Sequence, residues 1–303
     1  MTTGWTDLGE GVQVRQSRGY WLNSVVLLDP EVSWVIDPGL YPDELDELVE
    51  VVGRVQPEQV VLGFTHGDWD HVFGRAHWPH ARTVAHDHFA ASLRKHEHEI
   101  RAEQQRLERE HGVRWPHAFA PFRPDEAVSG QRFFKSGGWK LVLREAPGHS
   151  DHQLTFHLPE QGVLIAADML SDIEIPSLHT SPADYRRTLD LLLPMAENGA
   201  ITTLVPGHGS IARGAGAVMA RFRADLEYLD AIERGAREAV AARLGLAETL
   251  ARLDAMDYVG KGDAAWDTTD FHRENVAHAF RAAGTPPRPS GGAAPRRRSG
   301  KRR

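Results

Sequence analysis

The chain has 303 residues, 41% hydrophobic and 25% charged, which is the profile of a soluble globular protein with one large domain or two modest ones. It has no cysteine, so disulfides and thiolate ligands are excluded, and any metal must be held by nitrogen and oxygen. The net charge of −7 divides unevenly: residues 286–303 carry seven Lys and Arg and no acid, which leaves −14 on the rest and argues against a nucleic-acid enzyme with a broad basic face.

The first ten residues include acids and no apolar stretch, so no secretory signal is expected. No later run approaches the length of a membrane span, and together these features favour the cytoplasm. Residues 11–16, 20–28 and 32–36 read as strands, the last two joined in a hairpin by Asp29-Pro30-Glu31. Asp37-Pro38-Gly39 ends the third strand. Residues 42–54 form an amphipathic helix with Leu45, Leu48, Val49 and Val52 on one face. The apolar run 60–64 is a buried strand, and strand, helix, strand is the pattern of a crossover unit in an α/β layer.

That strand delivers four metal-capable side chains within six residues: His66, Asp68, Asp70 and His71. Gathering two imidazoles and two carboxylates is costly unless a cation shares the space. A strand at 82–85 follows, then a long charged helix over 87–111. Its apolar positions Phe89, Leu93, Ile100 and Leu107 make a narrow stripe, so it reads as a solvated surface helix, with a lid or a homodimer contact as the other readings. The histidines at 77, 80, 86, 88, 96 and 98 share no ligand face and read as mostly surface residues.

The second half repeats the layout. A strand at 138–145 leads into Gly148-His149-Ser150-Asp151-His152. Strands at 154–158 and 163–167 follow, the latter ending in Asp168. Ser181 caps a helix with Pro182 at its first position. The strand 201–205 ends in Gly207-His208-Gly209. His149, Asp168 and His208 thus all sit at strand ends, where open α/β folds place their sites. Residues 214–283 read as a helical extension broken by Tyr258-Val259-Gly260-Lys261-Gly262, and 284–303 as a disordered basic tail.

Asp37 after a strand, His66-x-Asp68-x-Asp70-His71, Gly148-His149-Ser150, Asp168 and Gly207-His208-Gly209 occur in that order. This set resembles the metallo-β-lactamase-fold hydrolases, glyoxalase II included. The resemblance implies an α/β fold, a four-layer αβ/βα sandwich over residues 1–213, with a dinuclear metal site between its halves. It implies a first ion on His66, Asp68 and His149 and a second on Asp70, His71 and His208. Asp168 and a hydroxide nucleophile would bridge them, Asp70 would orient that hydroxide, and Asp37 would brace the first metal loop from behind. Most of the family has His where this chain has Asp68. The extra carboxylate moves the expectation from zinc, the first choice, towards manganese or iron. The activity implied is hydrolysis of an ester, thioester or lactone of a small molecule. An iron-dependent redox enzyme on the same fold and a phosphodiesterase are the alternatives. His152, Tyr258 and Lys261 are candidate substrate contacts.

Overall fold

The computed structural model describes residues 4–259 and 267–284. Its first sheet has seven strands: β1 (Gly4–Gly9), β2 (Val12–Gln16), β3 (Asn23–Leu27), β4 (Val32–Ile36), β5 (Gln59–Gly63), β6 (Arg82–His86) and β7 (Glu126–Val128), in that spatial order. The second has six: β8 (Gln131–Ser136), β9 (Trp139–Glu145), β10 (Leu154–Leu158), β11 (Val163–Ile165), β12 (Thr203–Val205) and β13 (Ala212–Arg213), likewise in chain order across the sheet. The helices are α1 (Pro42–Gly53), α2 (Trp69–Val72), α3 (Phe89–Lys95), α4 (Glu97–His111), α5 (Pro182–Glu197), α6 (Ala215–Ala241), α7 (Leu246–Leu253) and α8 (Thr269–Gly284).

Three apolar layers fix the architecture. Leu45, Leu48 and Val52 of α1, with Phe89, Leu93, Ile100 and Leu107 of α3 and α4, bury one face of the first sheet. Trp34, Ile36 and Val61 meet Leu141, Leu143, Phe156 and Ile165 between the two sheets. Tyr185, Leu189 and Leu192 of α5 and Phe222, Leu229 and Ile232 of α6 cover the outer face of the second sheet. Helix, sheet, sheet, helix is the four-layer sandwich, and the central strands β3, β4, β10 and β11 are buried on both faces. None of the described helices is long and apolar enough to cross a membrane.

Two crossovers aim the site. Helix α1 joins β4 to β5 and α5 joins β11 to β12, and both strand pairs are parallel. Each pair therefore ends on the same side, and the loops after β4, β5, β11 and β12 open there. The halves are stitched beneath those loops, Asn23 N–H donating to Gly207 O at 2.7 Å and Leu154 N–H to Thr65 O at 2.7 Å.

The hairpin of β3 and β4 forms as its turn residues require. The strand expected from residue 20 begins at Asn23, because Tyr20 and Trp21 adopt left-handed φ values of 54° and 48°. The helix expected over 87–111 is two helices, broken at His96. It is not simply a solvated element: Phe89, Leu93, Ile100 and Leu107 are all core residues. The Glu97–Arg101 pair forms at 2.7 Å on its outer side. Among the histidines read as surface, His86 is buried and His96 is half-buried. Strand β1 falls where the sequence pattern offers no strand. Of the tail expected over 284–303, Gly284 closes α8 and residues 285–303 lie outside the described residues.

Candidate metal centre

The loop after β5 runs through Phe64 and Thr65 and turns into α2, so His66, Asp68, Asp70 and His71 leave one short segment on a common side. His149 arrives from the loop after β9, Asp168 from the loop after β11 and His208 from the loop after β12. His66 and His71 have no exposed surface, and His149, His208 and Asp70 are buried.

Asp168 lies between all four imidazoles. Its Oδ2 is 3.5 Å from His66 Nε2, 3.7 Å from His149 Nε2 and 3.5 Å from His208 Nε2, and its Oδ1 is 3.3 Å from His71 Nε2. Asp68 Oδ2 sits 3.1 Å from His149 Nε2 and 3.6 Å from His66 Nε2. Asp70 Oδ2 sits 3.2 Å from His208 Nε2 and 3.9 Å from His71 Nε2. Two triads result, His66/Asp68/His149 and Asp70/His71/His208, and within each the ligand atoms are mutually within 4.8 Å.

Every imidazole turns Nε2 inward because its Nδ1 faces a group behind it. His208 Nδ1 donates to Tyr20 O at 2.8 Å, and His149 Nδ1 to Ser177 O at 3.2 Å. Thr65 Oγ1 donates to Asp37 Oδ2 at 2.6 Å, so its lone pair is left to accept from His66 Nδ1 at 3.0 Å. His71 Nδ1 is 3.0 Å from Asp37 Oδ2, within ion-pair range but without the alignment of a hydrogen bond. Such partners fix the tautomer that leaves Nε2 free to bind a metal.

The electrostatics describe a cluster that asks for cations. Burial and the neighbouring His71 push the His66 pKa down, but the Asp168 and Asp68 carboxylates overcome both and lift it to about 9. Burial works likewise against charge on His71 and His208, and Asp168 leads the groups that hold both well above the usual imidazole range. Burial would raise Asp168, yet His71, His208 and His66 keep it well below the ordinary carboxylate range. Without an ion, this constellation must be held together by protons. His66 Nε2, His71 Nε2 and Asp168 Oδ1 are buried and lack a hydrogen-bond partner. Buried lone pairs converging on one space are what a divalent ion satisfies, so the donor set fits metal.

The backbone near these residues is strained. Asp37, Ala167 and Leu170 have positive φ values of 48°, 52° and 61°. Strain of this kind persists only where surroundings impose it. Asp37 is held by Thr65 N–H at 2.8 Å on Oδ1 and by Ser24 Oγ at 2.7 Å on its carbonyl. Leu170 N–H donates to Asp225 Oδ2 of α6 at 3.1 Å, and Tyr185 Oη to the same oxygen at 2.6 Å. A Cβ added to Gly207 would overlap Asp168 Oδ1 directly, so only glycine lets His208 approach.

Residues 22–208 match the family described as the metallo-beta-lactamase superfamily. The chain belongs to this superfamily. Among solved structures, a double mutant of the sec-alkyl sulfatase PisA1 from Pseudomonas sp. superposes at a TM-score of 0.70 and 13% identity, covering 95% of this chain and 52% of the sulfatase. This chain therefore spans about half the sulfatase's length. The metallo-beta-lactamase family protein TTHA1429 from Thermus thermophilus gives 0.61 at 19% identity, covering 91% and 94% of the two chains. A metallo-beta-lactamase from Pontibacter korlensis gives 0.55 at 17%, covering 73% and 98%. At these identities the likeness shows the metallo-β-lactamase fold alone. No curated protein matches the sequence.

A cavity of about 370 Å³ opens over the cluster, walled by Tyr20, Trp69, Ile100 and Phe271. Tyr20 and Trp69 meet edge to face, 5.3 Å between centroids. Of the other expected contacts, His152 borders a second cavity that Asp68 also lines. His152 accepts from Gly67 N–H at 3.1 Å through Nε2 and donates to Asp151 at 2.9 Å, so it props the metal loop. Burial pushes its pKa down to about 4, against Asp151, which keeps it neutral for that task. Tyr258 stacks on His272 at 4.3 Å and lines a neighbouring cavity behind the 171–176 segment. Lys261 lies outside the described residues. Sequence reasoning missed Tyr20, Ser177 and Glu174. Glu174 had a local signal, an acid between Ile173 and Ile175 just after a ligand strand, whereas a backbone carbonyl such as Ser177 O leaves none.

Proposed function

We propose that the chain is a cytoplasmic, metal-dependent hydrolase acting on an ester, thioester or lactone of a small molecule. The observation that carries this reading is Asp168 standing within 3.7 Å of four Nε2 atoms from two ligand triads. His66, Asp68 and His149 would hold one ion and Asp70, His71 and His208 the other, with Asp168 shared between them. A pair of divalent ions bound there supplies an acidified water and a Lewis acid for the substrate oxygen. The protein does the rest. Asp37, Thr65, Ser177 and Tyr20 fix the imidazoles, and Asp70, whose Oδ2 is 3.2 Å from His208 Nε2, would orient the attacking water. Tyr20, Trp69, Ile100 and Phe271 give the substrate an apolar wall, and the cavity suits a small ligand.

The test is a panel of activated esters, thioesters, lactones, phosphodiesters and secondary alkyl sulfates. At least one carboxyl-ester class should turn over, with chelation, His71→Ala or Asp168→Ala each lowering the rate by more than about a hundredfold. Turnover untouched by these changes would refute the mechanism. Asp68 inside the first triad supports a second reading, an iron-dependent redox enzyme. Oxygen consumption that requires an external reductant and bound iron, with no hydrolysis across the panel, would replace the first reading by this one.

A further inference from the structure

Glu174 lies in the segment Ser171-Asp172-Ile173-Glu174-Ile175-Pro176, and its isoleucine neighbours are both buried. Its Oε1 is buried and makes no hydrogen bond. A carboxylate oxygen of Glu174 lies within 4.8 Å of ligand atoms of Asp168 and His208. The side chain borders the same cavity as Asp68, Asp70 and His149. Among the described residues, no Lys or Arg forms an ion pair with it. Glu174 as a whole is half-buried, but its enclosed, unpaired Oε1 is costly unless a cation or a proton offsets the charge. The charge Glu174 faces is the place prepared by Asp168 and His208.

We propose that Glu174 is a fourth carboxylate of the metal centre, reaching the ion held by His208 and Asp168, and that it biases the centre towards Mn2+ or Fe2+ over Zn2+. This rests on the dinuclear reading above. Asp68, Asp70, Asp168 and Glu174 together balance the charge of two divalent ions. A fourth carboxylate raises the oxygen share of the set from three donors in seven to four in eight, and oxygen donors suit harder ions and larger coordination numbers than the tetrahedral sites zinc prefers. A residue serving only substrate would have no effect on metal binding in the empty cavity, which separates the two roles.

The experiment compares wild type with Glu174→Gln, each stripped with chelator and reloaded. Mn2+ and Zn2+ affinities are measured by equilibrium competition without substrate, metal content by elemental analysis, and Mn2+ environment by electron paramagnetic resonance. Glu174→Gln should bind Mn2+ about tenfold or more weakly, lose less for Zn2+, and show an altered Mn2+ spectrum. Circular dichroism checks the fold. If the glutamine variant does not fold, Glu174→Asp, which keeps the charge but withdraws the oxygen by one methylene, should show the same change of preference. A folded variant that matches wild type in Mn2+ affinity, metal preference and spectrum overturns the inference. A wild-type chain that takes up no divalent ion overturns instead the dinuclear reading on which it rests.

Discussion

Asp37→Asn probes the scaffold behind the metal loop. Asp37 is buried, with Oδ1 accepting Thr65 N–H at 2.8 Å and Oδ2 accepting Thr65 Oγ1 at 2.6 Å while facing His71 Nδ1 at 3.0 Å. Asparagine is the informative substitution because it tolerates the left-handed φ of 48° that Asp37 adopts, so backbone strain stays the same. Its Oδ1 can still accept Thr65 N–H. Its Nδ2, however, would point donors at two donors, the Thr65 hydroxyl and His71 Nδ1. If the hydroxyl turns to accept from Nδ2, its proton competes for His66 Nδ1 and drives that imidazole towards the tautomer with hydrogen on Nε2, which cannot ligate. Two buried donors without acceptors cost about 1–3 kcal/mol each, so a loss of roughly 2–6 kcal/mol in unfolding free energy is expected. Disturbing both tautomers should weaken metal binding by about ten- to a hundredfold. Denaturant unfolding and a metal titration read the two effects. An Asp37→Asn protein with wild-type stability and metal affinity would show that Asp37 does not hold the tautomers of His66 and His71.

Two further expectations follow from the same geometry. Asn275 of α8 donates to Pro176 O and Tyr228 Oη and accepts from Leu178 N–H, and so clamps the residues on either side of Ser177, the carbonyl partner of His149. Asn275→Ala should weaken one metal site by about tenfold while far-UV circular dichroism stays native, and wild-type affinity at both sites would count against this route. In the metal-free protein, His66 is lifted to about 9 from 6.5, so its share of stability is complete below about pH 6.5 and disappears as pH rises through 9. The melting temperature of chelator-treated protein should therefore fall across that interval. Metal should add more stability at its upper end, since the ligands must lose protons to bind. A metal-induced shift that shrinks with rising pH would contradict this balance.

Much of the fold was legible because its signals are local. Asp29-Pro30-Glu31 announces the hairpin of β3 and β4, Ser181-Pro182 announces α5, and alternation or apolar runs mark β5, β9 and β10. The residues the structure gathers at the centre were legible for the same reason. Each sits at a strand end, and His66 to His71 lie within one loop. What stayed hidden depends on distant partners. Nothing in Tyr20-Trp21 predicts two left-handed aromatic residues, because that backbone is set by His208, 188 positions away, bonding to Tyr20 O. The break at His96 has no Gly or Pro. It arises where Phe89 and Leu93 on one side and Ile100 and Leu107 on the other must both reach the core. Those four residues form a narrow stripe that reads as weakly amphipathic, yet their burial brings Ile100 to the cavity wall.

The central claim is that Asp168 unites two ligand triads into one dinuclear centre. Its most direct test is elemental analysis of protein purified without chelator, wild type beside Asp168→Ala. The account predicts two divalent ions per wild-type chain and the weakening of both in the variant, because Asp168 stands against His66 and His149 of one triad and His71 and His208 of the other. A wild-type chain without bound divalent metal, or an Asp168→Ala chain that retains both ions at unchanged affinity, would contradict it.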